Sequence, residues 1–175
     1  LIEFFNLVNK IFKIRFYSIL FGITFSVYVL VFSILFFYFS QFIQLKIIIY
    51  TLLLCCISSD IGGFIFGKIF KGKKLTKISP NKTVSGAIGS LILGVFTVFL
   101  LFSFFLKEFY IQSIFIGLIT SLACQIGDLF FSFLKRKAKL KDTSNFLPGH
   151  GGILDRLDGI YFGIPIGIIS ITLLF

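Results

Sequence analysis

Asp60 and Asp128 each close an apolar run, in CCISSDIGG and SLACQIGDLFF. An ionised Asp at the centre of a membrane helix costs roughly 2.5–3.5 kcal/mol, which makes such a residue a functional candidate unless it lies at the interface beside a Lys. On a helix, Asp128, Ser132 and Lys135 fall at i, i+4 and i+7 and share one face. Asp155 and Asp158, three apart, share another at the start of the last apolar run, with Arg156 turned away from them; Asp158 could alternatively serve as a helix cap. Carboxylates converging at a membrane surface, without a Cys or His cluster, suit a hard cation. Mg²⁺ fits best, because it takes one or two carboxylates and completes its shell with phosphates and water.

The segment Ser132 to Asp158 also holds Lys135, Arg136, Lys137, Lys139, Lys141 and Arg156, the only His of the chain, and Asp142. His150 stands alone and reads as a hydrogen-bonding side chain. Gly151 and Gly152 allow backbone to approach a phosphate closely. A second basic stretch, KIFKGKKLTKISPNKTVSG, places Ser79, Asn81, Lys82 and Thr83 just before a helix, whose first N–H groups and positive dipole end suit a phosphate. The plainer reading of that stretch is a topology signal attracted to anionic lipid. GGFIFGK at Gly62 to Lys68 resembles a P-loop only superficially: Ile69 stands where a Ser or Thr should follow, and no soluble strand precedes it.

These residues need a scaffold, and composition identifies it. Hydrophobic residues make up 57% of the chain and charged residues 14%, with a mean hydropathy of +1.05, whereas soluble domains run near 45–50% and about 25%. The fold class expected is all-α, a polytopic membrane helical bundle. Five runs are long enough to cross about 30 Å of hydrocarbon: 18–39, 42–66, 87–106, 110–134 and 159–175. Fifteen of the 17 basic residues fall before the first run or in the loops after the second and fourth, leaving Lys46 and Lys107 opposite. The positive-inside rule makes the basic side cytoplasmic and accounts for the net charge of +10 without nucleic acid.

Gly159, Gly163 and Gly167, like Gly86, Ser90 and Gly94, form small-residue ridges suited to close helix packing. Pro165 could kink the last helix. Cys55, Cys56 and Cys124 read as small buried side chains, and Glu3 and Glu108 as solvated acids at span edges. The chain contains no Met and begins at Leu1, so residues upstream are expected.

The segment from Ser132 resembles the signature of phosphatidate cytidylyltransferases, the CDP-diacylglycerol synthases. Ser132, Lys135, Arg136, Lys141, Asp142, Ser144, Leu147, Pro148, His150, Gly151, Gly152, Asp155, Arg156 and Asp158 fit it in register. Gln125, Gly127, Asp128 and Leu129 resemble the family's QxGDL, and Asp60, Gly67 and Lys68 its Asp-to-Gly-Arg/Lys block. Ser79, Pro80, Lys82, Thr83 and Gly86 resemble its SPKKTxEG block. Asn81 stands in place of a usual Lys, and Ser85 and Phe131 in place of usual Glu residues.

The resemblance implies a single membrane-embedded cytidylyltransferase domain over 1–175 that lacks its N-terminal helices. It implies transfer of a cytidylyl group from CTP to phosphatidic acid in phospholipid biosynthesis, releasing pyrophosphate. By the same resemblance Asp128 and Asp155 are metal ligands, with Asp158 and Asp60 supporting. Lys82, Lys135, Arg136, Lys141 and Arg156 would bind phosphate; Ser79, Thr83, Ser132, Asp142, His150, Gly151 and Gly152 complete substrate binding. Mg²⁺ is the expected cofactor, with room for a second cation. The expected partners are CTP, phosphatidic acid and the bilayer, with a homodimer allowed, in a bacterial-type inner membrane with the site facing the cytoplasm. The competing readings are another CTP-dependent membrane lipid enzyme or lipid kinase, and a cation transporter using Asp60 and Asp128.

Overall fold

A computed structural model describes residues 1–76, 78–107, 110–144, 146 and 151–174. It is all-helical apart from one isolated bridge between Lys74 and Thr83 among the described residues. A short helix α1 (Ile2–Ile11) precedes α2 (Arg15–Gln41), α3 (Ile43–Phe70), α4 (Val84–Phe105) and α5 (Tyr110–Lys137); a single turn α6 (Leu154–Leu157) then leads into α7 (Ile160–Leu174). Five segments are long and apolar enough to cross a membrane: α2, α3, α4, α5 and the α6–α7 stretch Leu154–Leu174. The last span therefore begins five residues before the Gly159 start expected from hydropathy, because Leu154–Leu157 already winds helically ahead of Gly159 and Asp158 keeps helical backbone angles. Pro165 lies within a helix that continues past it.

Among apolar helices in lipid there is no water to expel, so association depends on close packing and interhelical hydrogen bonds. Glycines provide the first. A Cβ on Gly62 would stand 2.5 Å from the Gly89 carbonyl oxygen, and one on Gly86 2.7 Å from that of Gly63, which brings α3 and α4 almost backbone to backbone. The Gly159/Gly163/Gly167 ridge seats α7 against Cys124, Cys56 and Thr120. Small hydroxyls provide the second: Ser59 and Ser121 lie 2.8 Å apart between α3 and α5, and Ser121 donates to the Ser90 carbonyl of α4 at 3.1 Å. All three cysteines are buried in or beside this seam.

The helices enclose one apolar core around Leu52, Cys55, Val98, Ile116 and Ile164. A second cluster lies at the end where α5 runs out, and there α1 lays Phe4, Leu7 and Val8 against Phe131, Ala138 and Leu154. By contrast α2 buries only Ser18 and Gly22 completely. α3, α4, α5 and α7 therefore form the body that positions the polar residues, and α1 covers one end of it.

Candidate functional site

The polar residues gather at the end of the bundle where α3 finishes, α4 begins, α5 finishes and α7 begins. Two lysine–carboxylate groups organise it. In the first, Lys82 pairs with Asp128. Lys82 is delivered by a tight return of the chain: Leu75 N–H donates to the Lys82 carbonyl at 2.8 Å, Lys82 N–H to that of Ser79 at 3.1 Å, and Val84 N–H to that of Lys73 at 3.0 Å. Thr83 then caps α4, its Oγ1 accepting from Gly86 N–H at 3.1 Å. Two of the N–H groups expected to await a phosphate at the start of α4, those of Val84 and Gly86, are thus used within the protein. The Thr83 hydroxyl serves the helix cap.

Asp60 and Asp128, from α3 and α5, open on one cleft of about 60 Å³ together with Lys82, Thr83, Ser90 and Gln125. Gln125 is fixed by donating to the Ala87 carbonyl at 3.2 Å, and Asp60 accepts from the Cys124 thiol at 3.8 Å. The cleft has room for a cation with a little water or for phosphate oxygens, whereas sites for whole small molecules run to about 300–1,000 Å³.

In the second group, Lys135 Nζ lies 2.8 Å from Asp155 Oδ1 and 3.7 Å from Asp158 Oδ2. The remaining Asp155 oxygen, Oδ2, accepts from Thr143 N–H at 2.8 Å, Thr143 Oγ1 at 3.0 Å and Gly152 N–H at 2.9 Å. Asp158 Oδ1 accepts from Gly159 N–H at 2.9 Å, and the residue is buried. Asp155 and Asp158 do share a face, and Lys135, one turn beyond Ser132 on α5, is what they share it with.

Gly127 joins the two groups. A Cβ there would stand 2.8 Å from the Asp158 carbonyl oxygen and 2.9 Å from Phe162 Cβ, so only glycine lets α5 approach the start of α7 this closely. The contact sets Asp128, the next residue, beside the start of α7 and so brings the first group up to the second.

Other expected site residues lie further out. Lys141 and Asp142 are exposed, and so is Arg136, which reaches the Leu140 carbonyl. Arg156 is exposed but takes part in an interaction of its own. Ser79 sits in the turn before Lys82. His150, with Leu147, Pro148 and Gly149, lies outside the described residues. Gly151 has a φ of +79°, and a Cβ on Gly152 would meet Thr143 Oγ1 at 2.2 Å and Glu3 Oε2 at 2.6 Å. The Gly152 N–H, expected to face a phosphate, is instead bound to Asp155.

Glu3 corrects the sequence reading outright. Its carboxylate is not a solvated edge group: it accepts from Ser144 Oγ at 2.7 Å, Leu154 N–H at 2.8 Å, and Thr143 Oγ1 and Ile153 N–H at 3.1 Å each. Burial pushes its carboxyl up from the ordinary value, but these hydrogen bonds together outweigh burial and hold it below. No spacing rule links residue 3 to residues 143–154; the only signal was a lone acid in an otherwise apolar first turn.

Among the described residues no three His, Cys, Asp or Glu side chains converge as a ready-made metal cage. The donor set still fits Mg²⁺, which needs few protein ligands. Asp60 and Asp128 face a common cleft, while both Asp155 oxygens are already engaged.

The sequence profile of the cytidylyltransferase family matches residues 2–174. The chain is similar to the phosphatidate cytidylyltransferase of Helicobacter pylori, 40% identical over 116 residues that cover 64% of this chain and 42% of that protein. It is also similar to that of Rickettsia bellii, 44% identical over 117 residues covering 62% and 51%. That of Mycobacterium leprae is 35% identical over 127 residues covering 72% and 40%. The chain thus spans about half or less of the length of these curated relatives.

Proposed function

The chain belongs to the cytidylyltransferase family, and from that premise we propose that it carries the active end of a phosphatidate cytidylyltransferase. CTP and phosphatidic acid would be joined to give CDP-diacylglycerol and pyrophosphate at the cytoplasmic face of a bacterial-type inner membrane. The observation that carries this reading is the meeting of Lys82–Asp128 and Lys135–Asp155/Asp158 at one end of a bundle of helices long and apolar enough to cross a membrane.

The attacking group of phosphatidic acid is a phosphate monoester, whose second pKa is about 6. It is largely dianionic at neutral pH, so no general base is required. The difficulty is to bring two anions together and to stabilise the charge that leaves with pyrophosphate. Lys82 and Lys135 stand closest to the carboxylates and would exchange those partners for phosphate oxygens. Arg136, Lys141 and Arg156 would add positive charge around them, with Ser132 and His150 as polar positioners. Lys135 is carried by α5 and Lys82 by the hydrogen-bonded return before α4, so binding would need only a swing of the two side chains.

Asp128 and Asp60 would hold Mg²⁺, with Asp158 and Asp155 contributing once Lys135 turns to substrate. When bound, the ion would neutralise phosphate charge. The lipid tails would remain in the bilayer beside the bundle while the headgroup reaches this polar end.

Positional labelling tests the reading in the full-length protein reconstituted in vesicles with phosphatidic acid and Mg²⁺. Label from the α-phosphate of CTP should enter the lipid, and label from the γ-phosphate should leave as pyrophosphate. A lipid kinase would transfer the γ-label instead, and label in neither position would remove the transferase reading altogether.

A further inference from the structure

We propose that Glu3 is a positioning residue for this transfer, an inference that rests on the cytidylyltransferase reading. Each oxygen of its carboxylate binds one residue on either side of the stretch between Ser144 and Gly152. Oε1 accepts from the Ser144 hydroxyl and Ile153 N–H, and Oε2 from the Thr143 hydroxyl and Leu154 N–H. Those two strands of chain are the ones that hold Asp155, whose Oδ2 accepts from Thr143 N–H, the Thr143 hydroxyl and Gly152 N–H. Glu3 therefore ties Thr143 and Ser144 to Ile153 and Leu154 behind Asp155.

Anchoring α1 to the bundle does not account for this arrangement. Phe4, Leu7 and Val8 already dock α1 on Phe131, Ala138 and Leu154. Glu3 is only partly buried, yet its carboxylate is fully engaged, and its four partners all lie in the two segments that flank Asp155, Thr143–Ser144 and Ile153–Leu154. The fit is tight as well, since Glu3 Oε2 would stand 2.6 Å from a Cβ on Gly152. The Thr143 hydroxyl links the two carboxylates, 3.1 Å from Glu3 and 3.0 Å from Asp155. It has one proton to donate and serves one acceptor at a time. When it turns to Glu3, Asp155 Oδ2 keeps only its two backbone donors and is freer to meet a cation.

The test uses the full-length protein in vesicles and compares wild type, Glu3→Gln, Thr143→Val and the double variant. Gln keeps the shape but presents an N–H₂ to one hydroxyl and one backbone N–H, and a backbone N–H cannot reverse its direction. Glu3→Gln should lower kcat at least ~10-fold with KM for CTP within ~2-fold, the pattern of misplaced catalytic groups rather than lost binding. Hydrogen exchange at Ile153 and Leu154 should accelerate in the same variant. The double variant should be little worse than the worse single one, because both changes break one network.

A Glu3→Gln protein with wild-type kcat and unchanged exchange overturns the proposal. So does a drop in activity that merely follows the loss of folded protein, with the remaining folded fraction fully active, or multiplicative losses in the double variant. A wild type that makes no CDP-diacylglycerol overturns the transfer reading instead, and the exchange result then decides by itself whether Glu3 holds the loop.

Discussion

Replacing Lys135 with Met removes the ammonium that bridges Asp155 and Asp158 while keeping most of the side-chain volume. The three side chains are only 9–12% exposed, so solvent offers little compensation. Among the described residues Asp155 keeps its three donors on Oδ2 but loses the ammonium at Oδ1, and Asp158 keeps the N–H of Gly159. Removing one partner of a buried ion pair typically costs about 3–5 kcal/mol, because the remaining charge is left uncompensated. The surviving bonds of Asp155 place the expected loss at the lower end, about 3 kcal/mol. Asp158→Asn in the Lys135→Met background should then recover about half, since Asn still accepts from Gly159 N–H and one like charge is gone. In the presence of Lys135 the same Asp158→Asn change should not stabilise. Denaturant unfolding in detergent micelles, followed by intrinsic Tyr fluorescence, measures all four proteins. A Lys135→Met variant within about 0.5 kcal/mol of wild type, or an Asp158→Asn effect equal in both backgrounds, would refute the reasoning.

Gly62→Ala introduces a Cβ 2.5 Å from the Gly89 carbonyl oxygen, where ordinary contact begins near 3.4 Å. The α3–α4 seam must open by nearly an ångström, and activity should fall by about 10²-fold with every charged residue intact; an active, fully folded Gly62→Ala enzyme would contradict the packing account. Thr83→Ala should cost about 1 kcal/mol of stability through loss of the α4 cap, with Thr83→Ser recovering most of it. An unchanged unfolding midpoint for Thr83→Ala would return the hydroxyl to a substrate role. The Glu3 carboxyl, held below its ordinary value of 4.5 by hydrogen bonds, should stabilise the docked α1 fully above about pH 4.5. That contribution is lost as pH falls through the depressed folded value. Exchange at Ile153 and Leu154 that is flat from pH 7 to 5 after correction for intrinsic rates, and rises only below, is the expected profile, and a rise near neutrality would contradict it.

Hydropathy and charge alone made the helical class, the five spans and the burial of Cys55, Cys56 and Cys124 legible, because lipid leaves the backbone few alternatives. Periodicity also put Asp155 and Asp158 on one face and ran Asp128, Ser132 and Lys135 along another. What it could not supply was pairing between elements. That Lys135 meets Asp155 while Lys82 meets Asp128 depends on how α5 seats against α4 and α7, which Gly117, Gly127 and Gly159 decide through close approach. The roles of Gly152 and Thr83 were harder still. A glycine beside a phosphate and a glycine beside a carboxylate look alike in sequence, and so do a hydroxyl awaiting a ligand and one capping a helix. Glu3 was invisible for a simpler reason: its partners lie some 140–151 residues away.

The most direct test of the account is CDP-diacylglycerol formation from labelled CTP, phosphatidic acid and Mg²⁺ by wild type, Asp128→Asn and Asp155→Asn in vesicles. The account predicts product with wild type and a loss of at least ~10²-fold in each variant, as for removal of a principal electrostatic group. Absence of product with wild type, or full activity in both variants, would contradict it.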